Sequence, residues 1–287
     1  MRLISFEAGE ERGVGIVTQG GVVDLRPRLD VHDLRDLLTR DLVTQARRFE
    51  ADAADFPLES VSLLPVIPDP AHFYCVGVNY ADHLNEVSGA GVQPARPQHP
   101  SLFIRFPETM TGANSALVIP KVSEQYDFEA ELAVIIGKGG RYIDPANALS
   151  HVAGYTCCND GSVRDWQIHT SQVTPGKNFF RSGALGPWMV TADELGDPGN
   201  LAIAFRLNGR VMQSSNTSKM IFNVSDIVSY ASAMVPLKPG DVISTGTPQG
   251  VGYARKPPVF LKAGDICEVE IERIGVLRNP VTREAVA

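Results

Sequence analysis

Two glutamates, Glu129 and Glu131, stand at the head of the apolar run Phe128-Glu129-Ala130-Glu131-Leu132-Ala133-Val134-Ile135-Ile136. A strand alternates its side chains, so both carboxylates project from one face while Phe128, Ala130 and Leu132 take the other. Neighbouring carboxylates beside apolar surface repel each other and resist desolvation, and a bound cation turns that cost into a use. A strand whose glutamate face is simply wet is the alternative. Asp160 follows a second apolar stretch that stops at Asn159-Asp160-Gly161. A metal ligand or a helix N-cap would sit there.

His83 and Glu86 are three residues apart in Ala81-Asp82-His83-Leu84-Asn85-Glu86, so on a helical turn they share a face and can touch. The Gly- and Pro-rich residues 89–100 read as an exposed loop, a candidate lid over that pair. An ordinary surface turn with a solvated histidine is the other reading. Lys177 and Arg181 lie among aromatics and glycines. The Gly-rich loop after Ser244 lacks the Lys-Ser/Thr ending of a phosphate-binding loop, which excludes a nucleotide site of that type.

The elements that must position these groups are mostly strands. Residues 2–9, 12–19 and 21–27 read as short strands joined by Gly-containing turns. Residues 32–54 carry Leu and Val at helical spacing. Pro65, Pro68 and Pro70 then mark a linker, which divides the chain into a small N-terminal unit, 1–68, and a larger one, 69–287. In the larger unit Asn208-Gly209 predicts a type I′ hairpin turn. Residues 222–237 predict an amphipathic helix starting near Ser225 or Asp226, and residues 257–281 a closing meander. Strands outnumber helices after residue 70, which predicts an α+β fold rather than a doubly wound sheet.

The 287 residues, 44% hydrophobic and 21% charged, have the composition of an ordinary globular protein. A net charge of −7 argues against nucleic acid or an anionic membrane as partner. No apolar run approaches the roughly 20 residues that span a bilayer. The N-terminal Met1-Arg2-Leu3-Ile4-Ser5-Phe6-Glu7 lacks the apolar core of a secretory signal. The four cysteines, Cys75, Cys157, Cys158 and Cys267, form no Cys-x-x-Cys pair and read as buried free thiols of a cytoplasmic protein.

In order along residues 72–281, these stretches resemble the fumarylacetoacetate hydrolase family. The resemblance rests first on Asn79-Tyr80 through Glu86, Phe128 through Leu132, and Gly154-Tyr155 through Asn159-Asp160. It continues through Arg164-Asp165-Trp166-Gln167, Gly176-Lys177-Asn178-Phe179 and Leu185-Gly186-Pro187-Trp188. Thr245-Gly246-Thr247-Pro248 and Asn279-Pro280-Val281 complete it.

The resemblance implies a mixed β-roll or barrel-like catalytic fold behind a small N-terminal α/β domain, and a homodimer. It implies Glu129, Glu131 and Asp160 as ligands of Mg²⁺ or Mn²⁺, consistent with the oxygen preference of hard cations. His83 would be the base that activates water, oriented by Glu86. Lys177, assisted by Gln167, would meet a developing oxyanion. Tyr80, Arg105, Arg164, Gly246 and Thr247 would contact substrate. Many members carry Lys where Leu102-Phe103-Ile104-Arg105 stands here. Arg grips carboxylates with two parallel bonds, so the change reports either a second acidic end on the substrate or a packing difference.

The activity expected first is hydrolytic cleavage of the C–C bond of a 2,4-diketo acid of acylpyruvate type, giving pyruvate and a carboxylic acid. The resemblance also allows oxaloacetate-type decarboxylation, hydroxymuconate-type tautomerisation or isomerisation, and 2-oxopentenoate hydration on the same metal–enolate platform. A non-catalytic, metal-stabilised binding module is the reading from another class.

Overall fold

Runs rich in Val, Ile and aromatic residues form the strands expected of them. In the computed structural model, which describes residues 1–88 and 95–285, the chain opens with β1 (Arg2–Ala8), β2 (Glu11–Thr18), β3 (Gly21–Asp24) and β4 (Ser62–Leu63). There follow β5 (Phe73–Gly77), β6 (Ser101–Ile104), β7 (Met110–Thr111), β8 (Leu117–Ile119) and β9 (Tyr126–Asp127). The middle holds β10 (Ala130–Ile136), β11 (Val152–Asn159), β12 (Ser162–Val163) and β13 (Gly183–Thr191). The chain closes with β14 (Ala202–Leu207), β15 (Arg210–Asn216), β16 (Val242–Ser244), β17 (Ile266–Ile271) and β18 (Gly275–Arg283).

The fold is strand-rich α+β. An 11-stranded sheet runs β3-β2-β1-β13-β11-β10-β16-β5-β6, with β4 on β1 and β7 on β13. A five-stranded sheet runs β15-β14-β17-β18-β8. The strands of residues 1–68 extend the larger sheet, because Leu3 of β1 pairs with Met189 of β13.

At the centre, β10 lies antiparallel between β11 and β16, and β16 runs parallel to β5. The start of β10 therefore shares one edge of the sheet with the ends of β5, β11 and β16. Leu132, Val134 and Ile136 of β10 enter one core. Ala133 and Ile135 enter a second, against β1, β2 and the helix Leu34–Thr39. A strand buried on both faces cannot slip register without exposing apolar side chains.

Several local expectations are refined. The helical spacing of residues 32–54 yields the helices Leu34–Thr39 and Val43–Ala46 and a 3₁₀ turn Arg47–Phe49. Asp41, at φ 53, turns the chain between the two helices. The helix Val224–Met234 is capped by Asn223, not Ser225. Asp226 returns the bond to the Asn223 N–H and completes a capping box. Asn208 and Gly209, at φ 52 and 78, make the predicted turn. All four cysteines are buried free thiols. Residues 89–94 of the expected lid lie outside the described residues.

Phe128 and Phe205 stack face to face with centroids 4.2 Å apart, tying the glutamate stretch to the smaller sheet. Phe205→Ala should lower unfolding free energy by about 3–5 kcal/mol in urea titration. An unchanged midpoint would remove Phe205 from the contacts that join the two sheets.

Candidate active site

Backbone hydrogen bonds explain why the glutamates stand where they do. The strand expected through residues 126–136 is divided, since the N–H groups of residues 128–130 are taken by side chains rather than by a neighbouring strand. The Phe128 N–H donates to its neighbour Asp127 Oδ1 at 2.8 Å, Glu129 to Asn159 Oδ1 at 3.0 Å and Ala130 to Gln213 Oε1 at 2.9 Å. Glu129 and Glu131 still share one face. Asp160 leaves β11 beside them, its N–H donating to the Glu129 carbonyl at 2.9 Å. The short helix after β12 is capped at Val163, so Asp160 is not its N-cap.

One oxygen from each of Glu129, Glu131 and Asp160 lies within 4.8 Å of the others. All three side chains are buried. Their surroundings differ. Lys177 Nζ bridges Glu129 Oε2 at 2.8 Å and Asp160 Oδ2 at 2.7 Å. Arg164 Nη2 lies 2.7 Å from Glu129 Oε1, and Arg105 Nη1 donates to Asp160 Oδ1 at 2.6 Å. Burial alone would raise the Glu129 pKa, but Lys177 and Arg164 outweigh it and hold the carboxyl at about 2.

Among the described residues Glu131 has no cationic partner at hydrogen-bond distance. Its Oε2 accepts from Ser244 Oγ at 2.5 Å and the Gly246 N–H at 2.9 Å. Burial and the charges of Asp160 and Glu129 push its carboxyl well above the usual range. This all-oxygen donor set fits a hard divalent cation. Such an ion would be held by one oxygen from each carboxylate and would favour the ionised form of Glu131 that burial and its neighbours oppose.

The helix Ala81–Val87 brings His83 Nδ1 to 2.9 Å from Glu86 Oε2. Glu86 also accepts the Gly250 N–H on both oxygens, at 2.9 and 3.2 Å, so it acts as an acceptor and Nδ1 carries the hydrogen. Nε2 is left as the basic nitrogen. The turn before this helix is fixed by Asn79, whose amide donates to the Phe222 and Thr245 carbonyls. Gly246, at φ +97, allows that approach, since a Cβ would lie 2.6 Å from Asn79 Cβ.

These groups meet in a cavity of about 160 Å³. Of the residues expected from sequence, His83, Glu129, Glu131, Arg164, Gln167, Lys177 and Thr247 line it. Larger hollows of about 560 and 580 Å³ carry no comparable cluster of ionisable side chains.

Three residues assigned to substrate are placed otherwise. Tyr80 is wholly buried, Gly246 supports Glu131, and Arg105 is committed to Asp160. None of the three lines the cavity. Asp160 itself is not among the lining residues and is held by Arg105 and Lys177. Four contributors carried no local signal: Ser244, Gln213, Asp127 and Tyr253. Gln213 Nε2 donates to Thr247 Oγ1 at 2.8 Å. Asp127 accepts from Arg164 Nε at 2.8 Å and from the Gly252 and Tyr253 N–H groups at 2.8 and 3.0 Å. Tyr253 lines the cavity with Arg164 4.5 Å from its ring centroid.

The model of the fumarylacetoacetate hydrolase C-terminal domain matches residues 72–282. The chain belongs to the fumarylacetoacetate hydrolase family. It is 41% identical to "Oxaloacetate tautomerase FAHD2A, mitochondrial" of Bos taurus over 98% of this chain and 91% of that protein. The human protein of the same name is likewise 41% identical, over 98% and 91%.

Among solved structures of the family, fumarylacetoacetate hydrolase from Exiguobacterium antarcticum superposes with TM-score 0.86 at 35% identity, over 99% of this chain and 100% of that one. Maleylpyruvate hydrolase from Sphingobium sp. SYK-6, in complex with manganese(II) and pyruvate, gives 0.81 at 28% identity over 99% and 100%. This family member is thus an enzyme by kinship, with an acidic triad suited to a divalent metal. No helix among its described residues is long and apolar enough to cross a membrane.

Glu131→Gln removes the carboxylate of the triad that is bonded by a hydroxyl and a backbone N–H. Calorimetric titration of EDTA-stripped protein with Mn²⁺ should show affinity at least about tenfold weaker than wild type. Equal affinity would take Glu131 out of the ligand set.

Proposed function

We propose that this chain is a divalent-metal-dependent tautomerase of a small 2-oxo diacid of the oxaloacetate type, interconverting its keto and enol forms. One observation carries the reading. A histidine with Nδ1 fixed by Glu86, and Nε2 left basic, lines the same small cavity as two members of the carboxylate triad. The relatives named as oxaloacetate tautomerases, matched over nearly the whole chain, support this substrate class.

The metal, when bound, supplies Lewis acidity that polarises the 2-oxo group and acidifies the hydrogens on C3. His83 Nε2 takes a proton from C3, and Glu86 stabilises the imidazolium through Nδ1–H. Negative charge develops on the C2 oxygen. Lys177 and Arg164, both lining the cavity, supply positive charge near it. His83 returns its proton to the C2 oxygen, which completes the enol and restores the neutral imidazole, and every C–C bond stays intact. Gln167, whose Oε1 accepts from Arg164 Nη1 at 2.9 Å, steadies the guanidinium.

Hydrolysis of a 2,4-diketo acid is the second reading. It is favoured by the manganese-containing maleylpyruvate hydrolase neighbour and by a His–Glu pair able to activate water as well as to abstract a carbon-bound proton.

The test uses EDTA-stripped protein with and without Mg²⁺ or Mn²⁺. Decay of enol-oxaloacetate absorbance is followed beside cleavage of maleylpyruvate and acetylpyruvate. Metal-restored enol decay without loss of C–C bonds is expected, and His83→Ala should slow it by about 10²–10⁴-fold. Stoichiometric pyruvate and acid from a diketo acid, at a rate exceeding enol decay, would overturn the tautomerase in favour of the hydrolase.

A further inference from the structure

The buried guanidinium of Arg105 has a use that its substrate assignment does not cover. It is fully enclosed, with 0% side-chain exposure. Nη1 donates to Asp160 Oδ1 at 2.6 Å and to the Gly161 carbonyl at 3.0 Å. Nη2 donates to Ser182 Oγ at 2.8 Å and Nε to Thr109 Oγ1 at 3.2 Å. Room for the fork is made at Gly183, where a Cβ would stand 2.8 Å from Nη2.

We infer that Arg105 is a positioning residue for the metal triad: it occupies Asp160 Oδ1 and so leaves Oδ2, which Lys177 Nζ also meets at 2.7 Å, as the oxygen for the ion, and it does not touch substrate. The geometry requires a planar, multi-donor cation. The four partners of Arg105 come from three places along the chain, Thr109, Asp160–Gly161 and Ser182, and a lysine ammonium cannot reach them all from one nitrogen. Holding one oxygen leaves Asp160 a single-oxygen ligand and removes its freedom to rotate. A charged hydrogen bond behind a ligating carboxylate typically changes metal affinity about 10–100-fold. Selectivity among 2-oxo acids is left to the groups that line the cavity. The inference rests on the triad holding a divalent cation, and not on which reaction follows.

Mn²⁺ binding to EDTA-stripped protein, without substrate, is read by electron paramagnetic resonance for wild type, Arg105→Gln and Arg105→Lys. Circular dichroism confirms that each variant is folded. Expected is Mn²⁺ affinity weakened about 10–100-fold in Arg105→Gln and partly recovered in Arg105→Lys. At saturating metal, the ratio of kcat/KM between mono- and dicarboxylate 2-oxo acids should match wild type.

Ser182→Ala, which removes one anchor of the fork, should weaken Mn²⁺ binding in the same direction and by less, and it decides the matter if Arg105→Gln does not fold. Unchanged Mn²⁺ affinity in the folded variants, or a selective loss for dicarboxylates, would overturn the inference. Failure of the wild type itself to bind Mn²⁺ would instead defeat the metal-dependent function and the inference with it.

Discussion

Three buried carboxylates held within 4.8 Å of one another are the constraint around which this chain is built. Their mutual repulsion in a low-dielectric setting is costly unless each is answered. Lys177, Arg164 and Arg105 answer Glu129 and Asp160 directly. Among the described residues Glu131 receives a hydroxyl and a backbone N–H alone. The imbalance is local and specific. It leaves a cation-shaped deficit where β10 begins, beside the ends of β5, β11 and β16.

The sheet makes that arrangement possible. A central strand buried on both faces fixes register, and register fixes which side chains emerge at the edge. Because β10 runs against β11 and β16 while β16 runs with β5, four connections converge on one rim. These deliver Asp160, the Ser244–Thr247 turn, the His83 helix and the two glutamates. The turn at residues 250–253 couples the parts, with the Gly250 N–H on Glu86 and the Gly252 and Tyr253 N–H groups on Asp127. One short loop thereby supports both the His83–Glu86 pair and, through Arg164, a glutamate of the acidic triad.

What could be read from sequence follows from how local each signal is. Alternation put Glu129 and Glu131 on one face, and three-residue helical spacing paired His83 with Glu86. Both are periodicities spanning a few residues. Asp160 was legible because a strand visibly ends there. The roles of Asp127 and Gln213 were not, since their contacts reach 125 residues to Gly252 and 83 to Ala130. Arg105 stands out in sequence where lysine is common in the family, but which carboxylate it meets depends on the position of Asp160, 55 residues away. The break at Phe128–Glu129 was hidden for a like reason, because side chains distant in sequence, Asn159 and Gln213, take the N–H groups of Glu129 and Ala130.

The most direct test of this account is a crystal structure of the protein grown with Mn²⁺, with the ion located by its anomalous scattering. The account predicts one strong peak per chain within coordination distance of an oxygen from each of Glu129, Glu131 and Asp160, with Arg105 still bonded to Asp160 Oδ1. A peak elsewhere, or none at the triad under saturating Mn²⁺, would contradict it.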